Sequence, residues 1–378
     1  MANHGVYVTQ NATSVSAPTE ATSGIPFVIG TAPLTGTATA GTPVLATTYD
    51  AAVEAVGYDD SWSDYTLSEF IYSQFKLFGC QPVILLPLAK GATKTDVAAA
   101  VEKIELCLTM FGIVPDLILA PGFSNEADVA AAMSAKADSI NGMFKGIALV
   151  DIKSATATAA VTAKNSGSYN SSEIVCWPCG KVGDLVFHMS TIIAGRISAT
   201  DTDNDGVPYE SPSNKSVPLD GVCTEDGTEI LLSKGDADIL NNAGIVTALN
   251  FMGSFVAWGN YTGTSTTDVK DKLIPINRMF SWVNNTLIQT FWSQLDAPMN
   301  NRLAETILDT CNIWINGLVG SGYLLGGRVE LNEAENPTTN LMAGIIKLHV
   351  YLTPPSPAQE IDFVLEYDAD YVTEVFSS

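Results

Sequence analysis

The sequence predicts a mixed α/β and α+β protein, built on a largely parallel sheet flanked by helices and ending in strand-like arms. Three observations predict it. Short apolar runs alternate with longer stretches of helical period from residue 25 to residue 177, as buried parallel strands and their crossover helices do. The C-terminal region holds long helical patterns and then becomes strand-rich. Each end of the chain carries a strand pattern with no hairpin partner nearby, and a lone strand must pair with something remote or with another chain.

In chain order, the first buried strand is IPFVIGT at 25–31. A short helix at 50–56 is closed by Gly57. The sequence Thr66-Leu67-Ser68-Glu69 has the form of a capping box. It opens a helix with apolar positions at Leu67, Phe70, Ile71, Phe75 and Phe78, stopped by Gly79. Three strands then alternate with two helices: strands at 83–88, 116–120 and 146–152, helices at 95–111 and 125–140. Another strand is read at 172–177 and a helix at 185–197. A loop-rich section covers 201–235, with a helix at 236–244 and paired strands over 245–258. Helices follow at 276–291 and 300–318, then strands at 323–331, 345–352 and 360–367. The last strand alternates Ile361, Phe363, Leu365 and Tyr367 with Asp362, Val364 and Glu366, beyond a Pro-rich break at 353–357. Folding back on its own body is the plainer reading of each terminal strand.

The 378 residues are 46% hydrophobic and 16% charged, with a formal net charge of −23. That is a folded composition. The charge argues against nucleic acid and against an anionic membrane surface, both of which need clustered Lys and Arg. The N-terminus lacks the pattern of a signal peptide, and the most apolar run, at 82–89, is too short to span a bilayer. Folding in a cytoplasm is expected, with the six scattered cysteines reduced.

No catalytic residue, cofactor or metal is expected. In DTDNDGVPYESPSN, Asp201, Asp203, Asp205 and Gly206 fit an EF-hand loop, but its twelfth position is Pro212. An acidic surface turn is the favoured reading, with the three aspartates as the place to look for a metal. Cys176-Trp177-Pro178-Cys179 has redox-pair spacing but ends a strand instead of opening a helix. Two small residues at a strand end are the favoured reading. The glycine-rich stretch at 317–327 follows a helix, the wrong order for a dinucleotide site. His4, His188 and His349 have no metal-ligand spacing.

The stretches HGVYVTQ, GIPFVIGTAP, QFKLFGCQPVILLPL, DLILAPGFSNEADVAAAM, DTDNDGVPYESPSN, AGIVTALNFMGSFVAWGNYT and IIKLHVYLTPPSPAQEIDFVLEYD occur in this order. Together they resemble the contractile phage tail sheath family, in the compact form also found in phage-tail-like bacteriocins and contractile injection systems. The resemblance spans nearly the whole chain. It implies a sheath subunit that stacks with itself as hexameric rings around an inner tail tube protein. Baseplate and tail terminator proteins are implied partners, with no nucleic acid and no direct membrane insertion. The implied location is a virion or tail-like particle assembled in a bacterial cytoplasm.

The resemblance also implies an arm at 1–20, an outer domain at 21–271, an inner tube-facing domain at 272–353 that draws on both chain ends, and a linker and arm at 354–378. Val6, Tyr7 and Val8, and Ile361, Phe363, Leu365 and Tyr367, would be arm strands adding to sheets of neighbouring subunits. Asn301, Arg302 and Glu305 would face the tube, while Leu303, Ile307, Cys311, Trp314 and Leu318 would form a core stripe. Two other classes stay open from the residues alone: an α/β enzyme using the 83–152 sheet, and a calcium-dependent surface protein built on Asp201–Asp205.

Overall fold

The computed structural model describes residues 18–368 and residue 371, so the strand pattern at Val6, Tyr7 and Val8 lies outside the described residues. The strands are β1 (Pro26–Thr31), β2 (Val44–Ala46), β3 (Val83–Leu88), β4 (Leu117–Leu119), β5 (Ile147–Asp151), β6 (Glu173–Cys176), β7 (Cys179–Val182), β8 (Leu185–Phe187), β9 (Gly221–Cys223), β10 (Ile245–Phe251), β11 (Ser254–Trp258), β12 (Gly326–Glu330) and β13 (His349–Thr353). The helices are α1 (Tyr49–Val56), α2 (Thr66–Tyr72), α3 (Lys94–Ala100), α4 (Leu106–Phe111), α5 (Ala127–Asp138), α6 (Ala157–Ser166), α7 (Met189–Asp203), α8 (Lys234–Asn242), α9 (Val269–Lys272), α10 (Ile274–Phe291), α11 (Asn301–Gly320) and α12 (Thr338–Met342).

Eight strands form one sheet in the order β11-β10-β6-β5-β4-β1-β3-β2. The pairs from β10 through β6, β5, β4 and β1 to β3 are parallel; β11 and β2 are antiparallel edges. Within each strand, successive side chains enter opposite cores, as the pleat requires. Val28, Leu85, Leu117 and Leu149 pack with α1, α2 and α7, while Phe27, Ile84, Ile118 and Val150 pack with α3, α5, α6 and α8. Burial on both faces is why these strands read as unbroken apolar runs. The β10–β11 hairpin turns at Met252-Gly253, both at positive φ (62° and 94°), as a tight primed turn needs.

A third core lies outside this sheet. Met279, Trp282 and Val283 of α10 meet Cys311, Trp314, Ile315 and Leu318 of α11, with Leu324, Val329 of β12, Ala21 and Val207. The two-stranded β12–β13 sheet is antiparallel, pairing Gly326 with Thr353 and Glu330 with His349.

Some local expectations change. Thr66 does not cap α2; it is the first helical residue after Tyr65, which makes no side-chain cap bond. The buried start of α2 is instead tied to β1, with the Thr66 N–H donating to Thr31 Oγ1 at 3.1 Å. Side-chain capping boxes occur at Thr93/Asp96 and Ser233/Asp236. The helix read at 185–197 is strand β8 followed by α7. Helix α7 runs through Asp201 and stops where Asp205 and Gly206 take positive φ, so DTDNDG is a helix end and not wholly a loop.

Candidate assembly surfaces

After β13, three prolines at 354, 355 and 357 remove backbone donors, and residues 354–368 form neither strand nor helix. Ile361, Phe363, Val364, Leu365 and Tyr367 are 70%, 86%, 92%, 94% and 80% exposed. The alternating pattern at 360–367 is therefore not an edge strand folded back on its own sheet. Its backbone groups and apolar side chains are open to a partner.

Helix α11 is capped by Asn300, whose side chain accepts from Leu303 N at 3.0 Å. Asn301, Arg302 and Glu305 are exposed on its first turns. Along the inward stripe, Leu303 and Ile307 are half-buried and Cys311, Trp314 and Leu318 are buried. The outward face continues at helical spacing through Asp309 to Ile313, which is 57% exposed. Ile313 does not stand out in the sequence, because it sits beside Trp314 and Ile315 and two residues from Cys311, among the core positions.

The third core is welded to the large sheet by α10. Arg278, 4% exposed, donates from Nη1 to Asp201 Oδ1 at 3.0 Å and from Nη2 to Asp201 Oδ2 at 2.5 Å and Asp116 Oδ2 at 2.8 Å. Asp201 is 1% exposed and also accepts from Ser23 Oγ at 3.1 Å. Asp116 accepts from the Ile25 N–H with its other oxygen. Burial pushes the Asp201 carboxyl up and the guanidinium opposes it. Burial alone would weaken the Arg278 cation, but Asp201 and then Asp116 outweigh that and hold it protonated. Two further clamps lie along the same helix. The Asn285 amide makes both bonds with the Lys145 backbone, at 2.8 and 2.7 Å. Thr286 Oγ1 accepts from Ala21 N, and Trp282 Nε1 donates to Ala21 O.

The three aspartates weighed for calcium do not converge. Asp201 is committed to Arg278, Asp203 is exposed beside Arg196, and Asp205 accepts from the Tyr323 hydroxyl at 3.2 Å. Among the described residues, no group of three or more His, Cys, Asp or Glu side chains could hold a metal ion.

A second buried polar cluster sits at the carboxyl ends of β4 and β5, where ligands bind in many open α/β sheets. His188 Nδ1 lies 2.8 Å from Glu69 Oε2, and the His188 N–H donates to Glu69 Oε1. Asp151 accepts from the Ser124 hydroxyl at 3.0 Å and from the Ser190 hydroxyl and N–H. Burial alone would depress the His188 imidazolium, but Glu69 and then Asp151 hold it up at about 9. Both serine hydroxyls donate to the Asp151 carboxylate and not to the His188 imidazole, so the cluster holds no Ser–His pair. A cavity of about 640 Å³ opens beside this cluster, lined by Asp151, Trp177, Cys179, His188, Cys223 and Glu225 among others.

No protein-family model matches the chain. It is 26% identical over 278 residues to the tail sheath protein of Burkholderia phage BcepMu, a match covering 70% of this chain and 57% of the phage protein. It is also 26% identical to a prophage major tail sheath protein of Pseudomonas aeruginosa, covering 98% of each chain. Two solved structures share the fold. The sheath of an extracellular contractile injection system (PVC), in the contracted state, superposes with a TM-score of 0.74 at 17% identity over 98% of this chain and 99% of that one. The anti-feeding prophage helical sheath, also contracted, gives 0.71 at 21% identity over 96% and 99%. In sequence the chain is similar along nearly its whole length to a prophage major tail sheath protein, and its fold is the one seen in the sheaths of contractile injection systems.

Proposed function

We propose that this chain is the structural subunit of a contractile tail sheath. Copies polymerise as stacked hexameric rings around an inner tube, and the sheath shortens to drive that tube through a cell envelope. The observation that carries the reading is the exposed tail at 361–367, which has a strand's alternation and, among the described residues, pairs with no strand. Donated to a neighbour's sheet, its main-chain groups would tie subunits together and its alternate apolar side chains would fill the neighbour's pockets. Val6, Tyr7 and Val8 would serve the same purpose at the other end. The Pro-rich linker would let subunits reorient while staying joined.

The inner unit at 272–353 would face the tube, with Asn301, Arg302 and Glu305 on the contacting turns of α11. Baseplate and terminator proteins would close the two ends of the sheath, which belongs to a virion or tail-like particle. The Ser124, Asp151, Glu69 and His188 cluster supports a structural role and not an enzymatic one, because its hydrogen bonds are spent internally. Contraction then draws on surface burial. At roughly 25 cal/mol per Å² of apolar area, a modest gain per subunit sums over many subunits. The −23 charge opposes close packing.

Negative-stain microscopy of the purified full-length chain tests the reading. Rings or tubes are expected. A chain that stays monomeric at high concentration with both arms intact would remove the basis for it.

A further inference from the structure

The sequence draws attention to Cys176 and Cys179, two thiols at redox-pair spacing. The fold separates their environments. Cys176 ends β6 in the large sheet, while Cys179 begins β7 in a separate three-stranded sheet ordered β8-β7-β9. The residue directly opposite Cys179 in that small sheet is Cys223, the last residue of β9.

Opposed residues of an antiparallel pair have Cα atoms about 4.5–5.5 Å apart and project their side chains to the same face. A disulfide needs Cα atoms about 4.4–6.8 Å apart. The ladder therefore sets these two cysteines at bridging distance with little backbone movement. A second observation is independent of register: both side chains line the same cavity of about 640 Å³. Both residues thus border the space a small oxidant would enter, and Cys223 is otherwise buried. Both thiols are free in this structure.

We infer that Cys179 and Cys223 are a disulfide site, closed by a peroxide-class oxidant and opened by thiol reductants. One thiolate attacks hydrogen peroxide, forming a sulfenic acid and releasing water. The other thiolate attacks that sulfur, the S–S bond forms, and a second water leaves. The two thiols lose two protons and two electrons, and the peroxide is reduced to two waters. Burial pushes both thiols above the usual range, so thiolate is scarce near neutrality and closure accelerates as pH rises.

The consequence lies in what the bridge encloses. The covalent loop from 179 to 223 contains β8 and the whole of α7. Helix α7 carries Ser190 and Thr191 of the crevice cluster and Asp201 of the Arg278 joint. Closing that loop restrains, in the unfolded chain, the segment that supplies both buried polar sites. The inference goes beyond assembly and stands or falls separately from it.

The test uses the full-length chain, oxidised with hydrogen peroxide at about pH 8.5 and mapped by mass spectrometry without reduction. A peptide pair joining Cys179 to Cys223, lighter by two hydrogens, is expected. The melting temperature should rise by about 5 °C or more and fall back on adding reductant. Cys223→Ser should melt like the reduced chain and lose the oxidative shift, while Cys176→Ser should keep it. A bridge mapped to Cys176, or no Cys179–Cys223 peptide from a chain that stays folded through the treatment, overturns the inference. Microscopy of the same samples reports assembly separately, so failure of the bridge is not confused with failure of the sheath reading.

Discussion

Strand β3 and the tail at 361–367 are both short apolar stretches, and the structure treats them oppositely. All six residues of β3 are buried between β1 and β2 and between two layers of helix. The tail's five large apolar side chains are at least 70% exposed. The difference is a matter of partners: β3 is flanked by strands on both edges, whereas the tail meets no strand among the described residues. The body's apolar side chains are spent on its own cores, and the tail's are not.

The body is most sensitive at the joint between the large sheet and the α10–α11 core. Arg278→Ala leaves Asp201 and part of Asp116 buried without their cation. Removing one partner of a buried pair costs about 3–5 kcal/mol, and denaturant melts should show a loss of that size. Asp201→Asn in the same background should recover part of it, because the amide removes the uncompensated charge. An Arg278→Ala chain as stable as the original would mean that the weld between the two units is not electrostatic.

A smaller effect is expected at the crevice, and it depends on pH. The His188 imidazolium is raised from 6.5 to about 9 by its carboxylate neighbours, against its burial. A group whose folded value is raised lends stability that is complete below its unfolded value and lost as pH climbs through the folded one. The His188 contribution should thus be full below about pH 6.5 and fade by about pH 9. His188→Gln should lower stability at pH 6 by about 1–3 kcal/mol, the scale of a hydrogen bond to a charged group. It should also flatten the fall between pH 7 and pH 9. A parallel pH profile in the variant would show that another group titrates there.

Much of the body was legible because its signals are local. Buried strands announce themselves as continuous apolar runs, and 83–88 was read at the bounds the structure gives. Gly57, Gly79 and Gly112 close their helices at positive φ. Helix α6 gives no signal in the sequence because ATAAVTAKNS presents little apolar face, with only Ala160 and Lys164 buried. Asp201 reads as loop because its sequence neighbours are turn formers. Its fate depends on Arg278, 77 positions away. A lone arginine within the apolar stretch IPINRMFSW was the available signal, since a buried cation demands a carboxylate. Glu69 misled in the same way: three residues after Thr66 it fits a cap, yet it is held by His188, 119 positions on. Local pattern finds elements; long-range charge pairing, which fixes how units join, leaves only one partner visible at a time.

The smallest effect on the fold belongs to the tail, and it separates folding from assembly. Phe363→Asp with Leu365→Asp replaces two exposed side chains that pack against nothing in the described chain, so unfolding free energy should move by no more than about 0.5 kcal/mol. The same pair, offered to a neighbour's sheet edge, would place two carboxylates where apolar pockets are expected, adding charge to a chain already at −23. Rings and tubes should then disappear while the melting curve stays in place. If the double variant melts much earlier, the tail is part of its own subunit's core. If it still assembles at the original concentration, other surfaces carry the sheath, and the exposed face of α11 around Ile313 becomes the next to change. Stability held and assembly lost is the outcome that marks these residues as the body's connection to other copies.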